Sequence, residues 1–309
     1  MDRLPLKAAI ATLRLRMQQV TVRVPASTSN LGPGFDCLGI ALGIYNRITV
    51  TSGRLPKQPH AEIISRAARR FFKMSRRRAF PFCVSTVDGI PRSRGLGGSA
   101  TIRLGILNAL NRLSGDPLDL LTMFQLCAEL EGHPDNAAPS TFGGFTVVAA
   151  SKQRGVITLQ RFEVSPRLRF VLLIPELEIS TSLARKILPS RIPHAAAVEN
   201  CGNACAITAA FASKHYEKLR GAFVDFIHQP FRKTLIPFLG SVIAAAEKAG
   251  ALGAFLSGSG STICAITLRD PGRVAAAMKR VVRSPSHIIV TGADNRGVHV
   301  MRSVITDQN

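Results

Sequence analysis

The chain has no tryptophan and only two tyrosines in 309 residues. That scarcity removes the usual stacking platforms for single-stranded nucleic acid. No C-x-x-C occurs among its six cysteines, Cys37, Cys83, Cys127, Cys201, Cys205 and Cys264. No histidine or second cysteine pair is placed to complete a zinc site with Cys201 and Cys205. The cysteines read as buried free thiols of a reducing compartment. Long apolar runs are missing too. The longest charge-free stretch, Ala249 to Leu268, is interrupted by "SGSGST", which argues against a membrane span. The N-terminus, "MDRLPLKAAIATLRLRM", lacks a long apolar core and a small-residue cleavage site, so it is a poor signal peptide. A soluble, cytoplasmic protein is expected. Residues 1–16 hold four basic residues, one acidic residue and no motif. They read as an N-terminal extension apart from the fold, with Met17 as a candidate start.

Acidic residues are also scarce, 19 Asp+Glu against 40 Lys+Arg, for a net charge of +21. Such a balance suggests anionic partners: nucleic acid, a membrane surface or phosphorylated small molecules. Seven basic residues and no acidic one fall between Arg66 and Arg78. This run reads as a solvated face of an Arg-rich chain, with an anion-binding patch as the alternative. No recognised nucleic-acid module accompanies it, so neither nucleic acid nor membrane is expected as a partner.

Apolar residues make up 46% of the chain, enough for a packed core. Val20, Val22 and Val24 alternate as a strand that should break at Pro25. Further strands are expected in "LGIYNRITVTS", "PFCVSTVDGIP" and "FTVVAA". A helix is expected from Ser99 to Leu113, and a second from an Asp116-Pro117 start to about Glu131. The pattern restarts at Ser165-Pro166 with the buried strand "RLRFVLLIP". Beyond it come a long helix from Ala195 to about Tyr216 and a strand–glycine loop–strand, "GAFLSGSGSTICAIT". The class is α+β with two lobes, residues 17–165 and 166–309.

Three glycines, Gly95, Gly97 and Gly98, crowd directly before the first helix. Glycine is costly in ordered structure unless the backbone needs φ > 0 or something must approach closely. On this segment alone two readings stand: a plain turn with Ser99 as N-cap, or a phosphate seat at a helix N-terminus. The P-loop pattern is absent, since no lysine follows the glycines. A dinucleotide fingerprint matches loosely as Gly95-x-Gly97-x-x-Ala100. Its acidic partner fails, because Asp116 and Asp119 open a helix instead of ending a strand. Protein-kinase signatures do not occur.

"PASTSNLGPGFDCLGIAL", "GLGGSAT", "EGHPDN", "FGGF" and "GAFLSGSGST" occur in this order from about Val20 to Thr267. Together they resemble the GHMP family of small-molecule kinases, and within it the branch that phosphorylates the amino acid L-homoserine. The resemblance implies a two-lobed fold. Its N-terminal ATP-binding domain would be ribosomal-protein-S5-like and its C-terminal domain a ferredoxin-like α/β plait. ATP and Mg²⁺ would bind at the glycine loop, formed by Pro91, Arg92, Ser93, Arg94, Gly95, Leu96, Gly97, Gly98, Ser99, Ala100 and Thr101. Ser99 and Glu131 would hold the metal, with Glu129 as the alternative, since i and i+2 point to different faces. Asn30 and Asp36 would contact the acceptor's amino-acid part, and Arg185 and Arg232 its carboxylate. His133, Asn136 and Thr181 would lie near the acceptor hydroxyl. No dedicated base is implied, although Asp135 is at hand. A homodimer is left open. Two positions depart from the family pattern. Gly98 stands where the loop usually has serine, and Ala196 of "PHAAAVEN" where an aspartate is usual, while Pro193 and Asn200 remain.

Overall fold

The computed structural model describes residues 17–306 apart from 54, 55, 57, 152 and 154, so the 1–16 extension lies outside the described residues. The first lobe is built from β1 (Met17–Ser29), β2 (Leu38–Ser52), α1 (Glu62–Ser75), β3 (Phe82–Asp88), α2 (Gly98–Leu113), α3 (Leu120–Glu131), α4 (Ala137–Phe142), β4 (Phe145–Ser151) and β5 (Gly155–Phe162). The second contains β6 (Arg169–Pro175), α5 (Thr181–Lys186), α6 (His194–Ala212), α7 (Gln229–Arg232), α8 (Leu239–Lys248), β7 (Gly253–Leu256), β8 (Ile263–Thr267), α9 (Pro271–Arg280) and β9 (Ser286–Thr291). The last strand, β10 (His299–Thr306), pairs antiparallel with β1, so a division of the chain at 165/166 leaves β10 with the N-terminal sheet.

The six-stranded sheet runs β10-β1-β2-β4-β5, with β3 also on β2. The four-stranded sheet runs β7-β8-β6-β9, all antiparallel. With α8 before β7 and α9 before β9, that order is the ferredoxin-like plait. The fold is the two-lobed α+β arrangement expected from the sequence.

Several elements differ from the sequence expectation. β1 does not break at Pro25 but runs to Ser29. Its pairing with β10 has ended by Arg23, and the register to β2 shifts between Pro25 and Ala26, so the missing N–H costs no ladder bond. α3 starts at Leu120, because Asp119 and not Asp116 caps it, accepting from the Thr122 N–H at 2.7 Å. Asp116 is left-handed (φ +54°) and closes the preceding turn, taking Arg112 at 2.5 Å. The basic run is largely helical, as α1, which buries Ala67, Ala68 and Phe71 among its arginines. The expectation that the cysteines are buried holds for Cys127 and Cys264 only; Cys83 is half-buried, and Cys37, Cys201 and Cys205 are exposed. The reason at Cys201 and Cys205 is that α6 lies on the surface, burying only Asn200, Ile207, Ala210 and Phe211.

In α2, Leu104, Ile106, Leu107 and Leu110 are fully buried, each worth about 1.5–3 kcal/mol of burial. A second core joins the sheets: Leu38, Ile40 and Phe145 from one, Phe170, Leu172 and Phe255 from the other. Phe211 of α6 stacks on Phe145 with centroids 4.3 Å apart. That shared core holds the lobes in register, and the cavity described next lies between them. No helix among the described residues is long and apolar enough to cross a membrane.

Candidate active site

α2 begins just after two left-handed residues. Gly95 and Gly97 have φ of +73° and +70°, a conformation that costs a residue with a side chain about 1–2 kcal/mol. Space forbids a side chain as well. A Cβ on Gly95 would lie 2.1 Å from the Ser257 carbonyl oxygen, and one on Gly97 2.2 Å from Ser27 Oγ. Gly97 itself is the N-cap; Ser99 lies inside the first turn, and no side chain caps the helix. The first N–H groups are thus left for an anion, with the helix dipole behind them. Residues 92–99 line a cavity of about 310 Å³. Pro91, Ala100 and Thr101 do not line it; Thr101 is buried, accepting from Asn46 Nδ2 at 2.9 Å. Gly98 has an ordinary φ, and a Cβ there would meet nothing within 4 Å.

Glu131 ends α3 at the cavity wall, where Gly132 turns left-handed (φ +83°). Ser99 Oγ donates to Glu131 Oε2 at 2.7 Å, and Arg103 holds Oε1. Glu129 does not line the cavity; Arg70 of α1 grips both its oxygens at 2.9 and 2.6 Å. A hydroxyl beside a carboxylate oxygen is a hard donor set of the kind magnesium takes. These two side chains therefore fit the metal.

The segment from Asn30 to Asp36 is folded tightly, with left-handed Asn30, Leu31, Gly32 and Asp36. Asn30 braces it. Its Oδ1 accepts from the Asp36 N–H at 3.0 Å, and its Nδ2 donates to the Gly258 carbonyl at 3.0 Å. Asp36 receives Arg185 at both oxygens, at 3.0 and 2.6 Å. Arg232 is buried, 2% exposed. It donates to the Ala184 and Gly258 carbonyls at 3.1 and 2.9 Å and to His228 Nδ1 at 3.2 Å. Burial, then the neighbouring Arg185 charge, brings its pKa down to about 10, so it stays cationic at neutral pH. His228 donates Nε2–H to the Gly32 carbonyl at 2.9 Å, which leaves Nδ1 as the acceptor for Arg232. Burial lowers the pKa of this imidazole to about 4, so it is neutral. Asp225 fixes the turn before it by accepting three N–H bonds, from Ile227, His228 and Gln229.

His133 Nδ1 donates to Asp135 Oδ1 at 2.6 Å. Burial pushes the Asp135 carboxyl up, but the His133 contact, a Ser29 hydrogen bond and the Arg185 charge outweigh it, and the group is held below its ordinary range. Asn136 accepts from Ser27 Oγ at 2.9 Å and donates to Ser29 Oγ at 3.0 Å, tying the start of α4 to β1 beneath Gly97. Thr181 Oγ1 lies 3.3 Å from Ser259 Oγ.

One cavity therefore gathers Asn30, Asp36, the loop from Arg92 to Ser99, Glu131, His133, Asn136, Thr181, Arg185 and Arg232. It also gathers residues that sequence reasoning passed over: Phe35, Gly258 and Ser259 line it, and Asp135, set aside as a base, lies in its wall. Arg103 and His228 act one layer behind. "HQPFR" carried a signal for His228, four residues before Arg232. Nothing local marked Arg103.

Residues 62–144 match the family model described as "GHMP kinases N terminal domain", and residues 208–284 the one described as "GHMP kinases C terminal". A homoserine kinase of Moorella thermoacetica is 36% identical over 269 residues, 83% of this chain and 90% of the relative. One of Caldicellulosiruptor bescii is 38% identical over 300 residues, 91% of this chain and 96% of the relative. A crystal structure of homoserine kinase from Cytophaga hutchinsonii superimposes with a TM-score of 0.82 at 26% identity, covering 92% of this chain and 97% of that one.

Proposed function

This chain belongs to the GHMP kinases, and among them to the homoserine kinases, and we propose that it transfers the γ-phosphoryl group of ATP to the side-chain hydroxyl of L-homoserine. The product, O-phospho-L-homoserine, serves threonine synthesis, and a cytoplasmic reaction is part of this reading. One observation carries the reading. A single cavity has an anion seat at one end, the α2 N-terminus, and fixed charges of both signs at the other, Asp36 with Arg185 and Arg232. A zwitterion bearing a hydroxyl answers that second set.

Phosphoryl transfer asks the protein for positioning and charge neutralisation more than for covalent chemistry. The backbone N–H groups of 95–99 hold the phosphates, and the left-handed glycines bring them close. Ser99 Oγ and Glu131 Oε2 would hold magnesium, which would supply positive charge against the phosphates. Asp36 takes the ammonium; Arg185 and Arg232 take the carboxylate. His133 and Asn136 hold the hydroxyl in line, with Thr181 beside it. Asp135 is committed to His133 and orients it. Holding the two reactants in one geometry supplies much of the rate.

Steady-state ADP release with L-homoserine against a panel of small alcohols tests the reading. L-homoserine should give the highest kcat/KM. A different alcohol turned over better would keep the kinase and replace its substrate.

A further inference from the structure

Asp36 and Arg185, assigned to opposite ends of the acceptor, are bonded to each other through both oxygens and both terminal nitrogens. The pair bridges the lobes, from the β1–β2 connection to α5. The side chains are 32% and 36% exposed, so a partner lost by either leaves a charge that water reaches only in part. Neither is loosely held. Asp36 is fixed by its left-handed backbone and by the bond from its N–H to Asn30. Arg185 lies over the Phe35 ring, 5.4 Å from its centre, and Arg232 lies over the same ring at 5.3 Å. Asp36, Asp135 and His133 offer atoms within 4.8 Å of one another. Each member of the pair thus has a like charge close by, Asp135 for Asp36 and Arg232 for Arg185.

We infer that this ion pair selects zwitterions by exchange of partners, an inference that rests on the homoserine reading above. An ammonium and a carboxylate arriving together replace one ion pair by two, and no charge is left unmatched. A carboxylate alone draws Arg185 away and strands Asp36 beside Asp135. An ammonium alone takes Asp36 and strands Arg185 beside Arg232. A neutral alcohol leaves the pair closed. The cost of removing one charge from the substrate therefore depends on whether the other is present.

The test uses the wild-type protein with four acceptors: L-homoserine, its carboxamide, 4-hydroxybutyrate and 4-hydroxybutyramide. ADP release gives kcat/KM for each. Removing either charge alone should cost at least tenfold to a hundredfold, roughly the worth of a charged hydrogen bond. Removing both should cost less than the product of the single losses, by a coupling factor of about tenfold or more. In Asp36→Asn, where the pair no longer exists, that factor should collapse toward one. ATP affinity by calorimetry checks that this variant is folded, and the wild-type comparison stands without it. Losses that multiply in the wild type, or coupling that persists in Asp36→Asn, would overturn the inference. Turnover of another alcohol in preference to all four would instead overturn the homoserine reading.

Discussion

Ser99 Oγ lies 2.7 Å from Glu131 Oε2, while Glu129, two residues earlier on the same helix, is turned away onto Arg70. The helix period separates the two carboxylates, and only one reaches the glycine loop. Glu131→Gln should lower kcat on the order of a hundredfold, the scale for losing one group that answers developing charge. It should also raise the magnesium concentration needed for half-maximal rate. Glu129→Gln breaks an exposed pair worth at most about 1 kcal/mol and should leave both quantities nearly unchanged. Magnesium titrations of the two variants check this; equal effects would remove Glu131 from the metal site.

Gly97 and Gly98 should respond oppositely to added side chains. Gly97→Ala places a Cβ against Ser27 Oγ in a left-handed backbone and should weaken ATP binding while lowering stability by at least about 1–2 kcal/mol. Gly98→Ser meets open space and should keep the fold and bind ATP as well as the native loop or better. Calorimetric ATP titration and denaturant midpoints separate the two.

The glycine loop was legible because φ > 0 and close approach leave a compositional mark, and the valine alternation of β1 was legible because one face is buried. β5 went unseen: its residues are exposed or half-buried throughout, so no apolar period announces it. α1 was hidden by the arginines that surround Ala67, Ala68 and Phe71. The site's contacts were the least visible. Arg185 and Asp36 are 149 residues apart, and His228 and Gly32 are 196 apart; no spacing rule reaches that far. Motif resemblance had to supply Arg185 and Arg232, and only the fold shows what holds them.

Arg232 commits Nε and Nη1 to three fixed acceptors and keeps the Nη2 donors for a carboxylate, a division that a planar guanidinium can make and an ammonium cannot. Arg232→Ala should weaken L-homoserine by roughly tenfold to a hundredfold and leave the KM for ATP close to native. Arg232→Lys should recover little of the loss. Comparable losses for both substrates would mean that the residue supports the fold alone.

His228 sets a pH dependence of stability. Its pKa in the folded chain, about 4, lies below the ordinary 6.5, with burial as the main cause. Between those values the unfolded chain takes up a proton that the native chain refuses. The stabilisation is complete above about pH 6.5 and is lost as pH falls toward 4, by on the order of 3 kcal/mol. Urea midpoints across that range should fall for the native protein and fall less for His228→Gln. Parallel curves would show that other groups govern the acid limb.

The most direct measurement is the identity of the product. Enzyme, magnesium, ATP and L-homoserine should yield ADP and one phosphate monoester in equal amounts. Phosphorus NMR should show that ester coupled to the side-chain methylene protons, and mass spectrometry should place one phosphoryl group on homoserine. ADP accompanied by free phosphate alone, or an ester formed only with a different alcohol, would contradict the assignment.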